Sequence, residues 1–317
     1  MKPMPKPFPL LLALMGVLLG TSIPTFAAFP GKNGRIAFIA DLSGTYQLYT
    51  ANPDGSDQIQ LTDLPPTSNG VWWPAYSPDG RQIAFSHDMT GHLELYIINA
   101  DGTGFRQLTR ADGTNKLFAR WSPDGRSIVF GRFAEVLQSI SLIASDGSGD
   151  ISDLIAIPWS VYQPTFTPDG EEILFGSQEG GLVSAVWAMR TDGSHRRRLT
   201  AAPIEAGGPD VSPDGRLVTF YSQQNTPLPT QIYVMNIDGT RVKLLTQGPS
   251  VSLDPSYSPD GTKIAFQSGP SLEESGNLFI MNVDGSHRKE VGSHLVQPEN
   301  CIIGNCLTPD WGAKPPQ

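Results

Sequence analysis

The sequence predicts an all-β chain folded as a six-bladed β-propeller of four-stranded antiparallel blades, its ring closed by a C-terminal strand that completes blade one. Three observations predict it. A PDG turn opens at Pro78, Pro123, Pro168, Pro213 and Pro259, at spacings of 45, 45, 45 and 46 residues. A second turn, usually DG followed by Ser or Thr, puts its Asp at 54, 101, 146, 192, 238 and 284. Between the turns lie short runs of branched and aromatic residues, the common signature of strands. A fixed period filling a Gly- and Pro-rich chain is the mark of a repeat architecture.

The first 27 residues are set apart from this pattern. Lys2 and Lys6 make a positive start, FPLLLALMGVLLG is an apolar core, and TFA ending at Ala27 is a small-residue cleavage site, so residues 1–27 read as a signal peptide. A spanning helix needs about 20 apolar residues, and this run is shorter and closed by Pro24. No Cys follows it to carry a lipid. The expected mature product is one propeller domain over residues 28–317, periplasmic or secreted and monomeric.

Each unit reads as a four-strand meander. In the second, PAYS is strand a, QIAFSH strand b, LELYIINA strand c and FRQLT strand d. Pro presets φ at one corner of the turn between a and b, and Gly accepts positive φ at the other. One such sheet cannot bury both faces alone, and packing copies around an axis solves that. Six copies of the second turn give six blades. Unit one begins at GKNGRIAF, already strand b, and its strand a appears at the other end of the chain. TPDWG, residues 308–312, places Trp311 where the other units have Tyr76, Trp121, Phe166, Val211 and Tyr257. Such a clasp removes the exposed edges of an open row of blades.

The motifs SPDG followed by IAF, LY-[IV]-MN-x-DGS and RQLT resemble the WD-like propeller repeats of the TolB family over essentially everything after residue 28. The resemblance implies a six-bladed propeller. TolB itself is a periplasmic partner-binding protein of the Tol–Pal envelope system and carries an N-terminal α/β domain before its propeller, whereas only residues 28–30 separate Ala27 from Gly31 here.

Composition narrows the partners. The formal charge is −9; without Lys2 and Lys6, 20 basic residues face 31 acidic ones, a net of −11 that repels nucleic acid and anionic lipid. The two cysteines, Cys301 and Cys306 in CIIGNC, most simply form a local disulfide in an oxidising compartment, two free thiols being the other reading.

Antiparallel order places the a–b and c–d turns at one end of the ring and the b–c and d–a connections at the other. The first end is uniform, the second varies, and a repeated scaffold carries a specific site where it varies. Ahead of strand a, the d–a loops read VWW, KLF, PWSVYQ, EAGG, SLD and CLT. Trp72, Trp73, Phe118, Trp159 and Tyr162 are the candidate aromatic rim of a channel mouth for a peptide, protein loop or sugar, with Asp254 beside Gly207 and Gly208 on the far side. The alternative is that these rings fill gaps between blades.

Other features carry less. His87 and His92 in the b–c loop of blade two and His294 in the last d–a loop share the variable end, while His195 and His287 follow c–d turns; none has metal-site spacing, and no metal or other cofactor is expected. The N-x-DG[ST] turns resemble fragments of calcium loops but lack the remote Glu that completes them. Strand d carries FRQ, HRRR, RVK and HRK, which reads as edge protection by Lys and Arg before it reads as an anion site. There is no G-x-S-x-G, H-E-x-x-H or GxxxxGK[ST]. The expected function is therefore a non-enzymatic scaffold binding a protein or peptide partner in the cell envelope. The alternative is a glycan-binding propeller, or a polysaccharide lyase or hydrolase using His and acidic residues such as Asp210 and Asp254 converging at the mouth.

Overall fold

The computed structural model describes residues 30–40, 45–65, 70–180, 183–201, 205–223, 229–271, 276–291 and 308–315. The signal-peptide residues, His294, Cys301 and Cys306 lie outside them. Among the described residues, 24 strands form six four-stranded sheets. Blade one joins β1 (Asn33–Ala40), β2 (Gln47–Ala51) and β3 (Ile59–Gln60) to the last strand, β24 (Asp310–Ala313). Blade two holds β4 (Val71–Tyr76), β5 (Gln82–His87), β6 (Glu94–Asn99) and β7 (Arg106–Gln107). Blade three holds β8 (Asn115–Trp121), β9 (Ser127–Phe133), β10 (Gln138–Ala144) and β11 (Ser152–Ile157). Blade four holds β12 (Val161–Phe166), β13 (Glu172–Ser177), β14 (Ala185–Arg190) and β15 (Arg197–Arg198). Blade five holds β16 (Glu205–Val211), β17 (Leu217–Gln223), β18 (Gln231–Asn236) and β19 (Lys243–Leu244). Blade six holds β20 (Val251–Tyr257), β21 (Lys263–Gly269), β22 (Asn277–Asn282) and β23 (Lys289–Glu290).

The turns form as their residues dictate. In the a–b turn of blade two, Gly80 N–H donates to the Ser77 carbonyl, and the Ser77 hydroxyl donates to Asp79 Oδ1 at 2.7 Å while accepting from Gln82 N–H at 2.9 Å. The same bonds recur at Ser122, Thr167, Ser212 and Ser258. In the c–d turns, each Asp carboxylate accepts from the N–H of the Ser or Thr two residues on, which holds its pKa below the usual carboxylate range. Each of these carboxylates closes its own hairpin through Oδ1, the geometry of a turn. Among the described residues, no group of three or more His, Cys, Asp or Glu is placed to hold a metal ion.

The core lies between blades, one cluster at each of the six junctions. Strand b repeats a Phe at 38, 85, 130, 175, 220 and 266, and all six are fully buried. Alternation sends Ile36 and Phe38 toward blade six while Ala37 and Ile39 face blade two.

Closure occurs as the sequence predicts. β24 pairs antiparallel with β1, Trp311 standing opposite Ile36, and Trp311 is buried among Phe38, Ala265 and Ile280. Burying such a ring is worth about 1.5–3 kcal/mol or more. The latch has no room to spare: a Cβ on Gly80, whose φ is +67°, would sit 2.0 Å from the Ala313 carbonyl oxygen. On the other side of blade one, Asn33 Nδ2 donates to Asp260 Oδ2 at 2.9 Å, and Gly31 N–H donates to the Pro259 carbonyl at 3.1 Å.

Two strand boundaries differ from the sequence reading. The outer strands shrink to two residues in five blades, whereas β11 in blade three has six. The basic residues on the short outer strands are engaged locally: Arg197 Nη2 meets Glu172 Oε2 at 2.8 Å, Arg106 Nη2 donates to the Ser145 carbonyl at 2.6 Å, and Arg288 lies 4.4 Å from the Phe279 ring centroid. The innermost strands of blades two to six, by contrast, start three or four residues before PAYS and its equivalents. VWW, KLF, SLD and EAGG, with the VYQ of PWSVYQ, are thus strand and not loop. Each of these strands contains a bulge, with register breaks at Trp72/Ala75, Leu117/Arg120, Tyr162/Thr165, Gly207/Asp210 and Leu253/Ser256. In four of the five, a Pro follows the bulged residue and lacks an N–H for the ladder, so the strand appears from sequence to begin there. His87 likewise ends β5 and does not sit in the b–c loop.

Candidate functional site

The bulge builds the mouth of the channel. It places Trp73, Phe118, Gln163, Gly208 and Asp254 at one structural position in five successive blades, with φ of +43°, +61°, +50°, +56° and +50°. Four of these are not Gly, and such backbone strain persists only where the surroundings over-determine it, often at functional positions. Gly208 also serves space: a Cβ there would lie 2.4 Å from the Tyr221 ring, and one on Gly207 would lie 2.8 Å from the Tyr162 ring.

Trp73, Phe118, Tyr162 and Asp254 line one cavity of about 340 Å3 at this variable end, together with Gln163, Glu205 and Tyr221. One wall is aromatic. Trp73 and Phe118 have ring centroids 4.2 Å apart, and the row extends through Trp72 at 5.3 Å from Trp73 to Tyr46, and from Phe118 to Phe133 at 6.0 Å. Trp72, Trp73, Phe118 and Tyr162 are each half-buried, so their rings pack between blades with one side and still border open space with another. Trp72 lies behind Trp73 and outside the cavity lining, its buried indole N–H without an acceptor. Trp159, on the β11–β12 connection, is 46% exposed and is not among the lining residues.

The facing wall is polar. Tyr221 Oη donates to Gln163 Oε1 at 2.9 Å, which turns the Gln163 amide so that Nε2 donates to Asp254 Oδ1 at 2.7 Å. Burial pushes the Asp254 carboxyl up to about 6, against this hydrogen bond and the nearby Arg120 charge. Sequence reasoning passed over Gln163, Glu205 and Tyr221. The signal for Gln163 was present: the bulge residue stands three before the strand-a aromatic, at 73, 118, 163, 208 and 254.

One layer deeper the channel carries Arg120 and Asp210, each two residues past the bulge position of its strand, and Asp310 at the start of β24. Asp310 Oδ2 accepts Tyr76 N–H and Asp210 Oδ2 accepts Tyr257 N–H, both at 2.7 Å, so each carboxylate ties its blade to the next. Arg120 Nη1 stands 3.9 Å from Asp310 Oδ1 and donates to the Pro74 carbonyl. Burial pushes Asp210 up to about 7 and also raises Asp310, with Arg120 opposing both. Asp210 and Asp254 therefore hold different layers. The described histidines lie elsewhere: His87 is fully buried at the end of β5, its pKa lowered by that burial, and His195 and His287 sit beside the c–d turns. No described histidine lines the mouth.

The opposite end has its own depression, of about 500 Å3, between Pro30, Gly31, Pro213, Asp214, Pro259 and Gly261. Its walls are mostly the repeated turns, and the Asp214 and Asp260 carboxylates accept from their own turn residues.

A buried charge pair braces the mouth beside Phe118. Lys116 Nζ, fully buried, meets Glu94 Oε1 at 2.9 Å and Asp112 Oδ1 at 2.6 Å. Burial raises the Asp112 carboxyl, but hydrogen bonds from Lys116 and Thr114 outweigh it and hold the group well below its usual range. Blades one and five close the same corner without charge: Gln47 Nε2 donates to the Leu64 carbonyl and Gln231 Nε2 to the Ser250 carbonyl.

No protein-family model matches the chain, and no curated relative matches it by sequence. Solved structures do. TolB from Acinetobacter baumannii superposes with a TM-score of 0.73 at 22% identity, over 91% of this chain and 69% of that one. A structure assigned as TolB from Agrobacterium tumefaciens gives 0.64 at 21% identity, over 82% and 88% of the two chains. An oligogalacturonate lyase from Vibrio parahaemolyticus gives 0.57 at 14% identity, over 83% and 76%. The chain has the six-bladed propeller fold of the TolB structures.

Proposed function

We propose that this chain is an exported partner-binding scaffold, acting without catalysis as a single propeller domain, whose variable end receives a protein or peptide segment in the periplasm or outside the cell. One observation carries the reading. Strained bulge residues from blades two, three, four and six converge on a single open cavity with an aromatic wall, while at the other end the turn carboxylates accept from their own hairpins. Half-exposed aromatic rings bordered by a few fixed polar groups are what a recognition pocket requires. The TolB-like fold is consistent with this role, although fold alone does not transfer function. Carbohydrate cleavage has a structural neighbour in the lyase, but the required convergence of His and carboxylates at the mouth is not assembled by the described histidines.

The test is capture of a partner from envelope extract of the host organism by the purified chain. A Trp73→Ala/Phe118→Ala variant that still melts as a single folded species should lose at least about tenfold in capture, the scale on which central aromatic anchors act. A turn-end control, Asp214→Ala, should keep it. Equal capture by the parent and the mouth variant would place the site elsewhere.

A further inference from the structure

We propose that the mouth cavity selects an organic cation, an ammonium or guanidinium group carried by the bound segment. This deepens the partner-binding reading and rests on it. The lining contains aromatic rings from Trp73, Phe118, Tyr162 and Tyr221, the carboxylates of Asp254 and Glu205, and, among the described residues, no Lys, Arg or His. An aromatic face attracts a cation within about 6 Å of its centroid, and the opposing carboxylates add charge of the sign a cation needs.

The polar wall is preset for this. The Tyr221–Gln163 hydrogen bond fixes the Gln163 amide, and that amide occupies Asp254 Oδ1. Asp254 Oδ2 accepts no hydrogen bond from another described residue, so one oxygen remains to receive an N–H from a ligand. Trp73 and Phe118 share the bulge position of Asp254 in their own blades, so ring faces and carboxylate are delivered to the same level of the channel.

The nearest base does not cancel the field. Arg120 lies one layer deeper, donates to the Pro74 and Ala119 carbonyls, and shares its single charge among Asp210, Asp254 and Asp310. Burial holds Asp210 and Asp310 toward their neutral forms beside that guanidinium, and Asp254 and Glu205 set the charge of the cavity above them. An anion entering the cavity would meet carboxylates and the negative faces of the rings. A neutral apolar group would cover Asp254 without offering it a donor, which is costly for a buried carboxylate. A long basic side chain satisfies both walls at once, its stem on the rings and its head on Asp254.

The experiment measures binding of four labelled peptides, acetyl-Gly-Gly-X-Gly-Gly-amide with X as Arg, Lys, norleucine or Glu, by fluorescence anisotropy at low salt. The expected result is Arg and Lys peptides at least about tenfold tighter than the norleucine peptide, with the Glu peptide weakest, in line with one cation–π contact plus one charge-assisted hydrogen bond. Asp254→Asn should remove most of that preference by weakening Arg and Lys binding while leaving norleucine binding no weaker, and Phe118→Leu should weaken Arg and Lys binding in a chain whose acidic wall is intact. Equal affinity for norleucine and Arg peptides would overturn the cation inference while leaving an apolar partner-binding mouth in place. Preference for Arg unchanged in both variants would overturn it too, as would no binding of the Arg and Lys peptides; the partner-binding reading itself stands or falls separately, on the capture experiment.

Discussion

The two ends of the ring are built from the same strands yet follow opposite rules. At the turn end, the bonds of Ser77 recur at Ser122, Thr167, Ser212 and Ser258 with nearly the same lengths. At the mouth end, the equivalent bulge position holds Trp73, Phe118, Gln163, Gly208 and Asp254, five different chemistries on one backbone geometry. Repetition is kept where each blade satisfies itself, and variation is tolerated where the backbone is already fixed by the bulge and the side chains face open space. The difference teaches that the turn chemistry is local to each blade, while the core, packed between blades, and any specificity are properties of the ring.

The largest expected effect breaks this contrast at the mouth end. Lys116→Met leaves Glu94 buried without its cation and should cost about 3–5 kcal/mol, read by chemical denaturation. Adding Glu94→Gln restores the neutral arrangement of Gln47 and Gln231 and should recover most of the loss, a strong non-additivity. Additive losses would mean that the corner is not held by this pair.

A smaller effect sharpens the contrast at the turn end. Ser212→Ala removes the hydroxyl that donates to Asp214 and accepts from Leu217 N–H, for a loss of about 1–2 kcal/mol. Because the end is uniform, Ser122→Ala and Ser258→Ala should each cost the same to within about 0.5 kcal/mol, the usual spread for equivalent sites. Widely different losses in the three variants would show that the turns are equivalent in shape only.

A pH-dependent effect lies in the channel between the ends. Asp210 has its folded pKa raised to about 7, so the folded state holds a proton that the unfolded state releases from about pH 4 upward. Its contribution therefore favours the folded state at low pH and fades as pH rises from about 4 through 7. Asp210→Asn keeps an acceptor for Tyr257 N–H, with Arg120 and Asp310 still facing the site, and removes the titration. The melting temperature of the variant relative to the parent should rise by a few degrees between pH 4 and pH 7; a constant difference would mean that Asp210 stays ionised throughout.

Much of the fold was legible because its causes are short-range. PDG and DG[ST] place Gly, Pro, Asp and Ser at fixed corners, and their bonds span two to five residues. The closing strand was legible for a different reason: Trp311 occupies the same place in a repeated pattern as Tyr76 and Trp121, so its absence from the start of the chain implied its partner. The bulge was hidden by Pro74, Pro164, Pro209 and Pro255, which look like strand starts and are strand interiors.

By itself the sequence determined the period, the blade count, the hairpin chemistry and the closure of the ring, because each is written in residues that act on near neighbours or on identical copies. Only the tertiary structure decided which side chains share the mouth. Gln163 and Asp254 are 91 positions apart and meet at 2.7 Å, and Arg120 faces Asp310 from two blades away. Those encounters depend on blade rotation about the axis, which brings bulge positions of distant repeats together, and no local pattern encodes that.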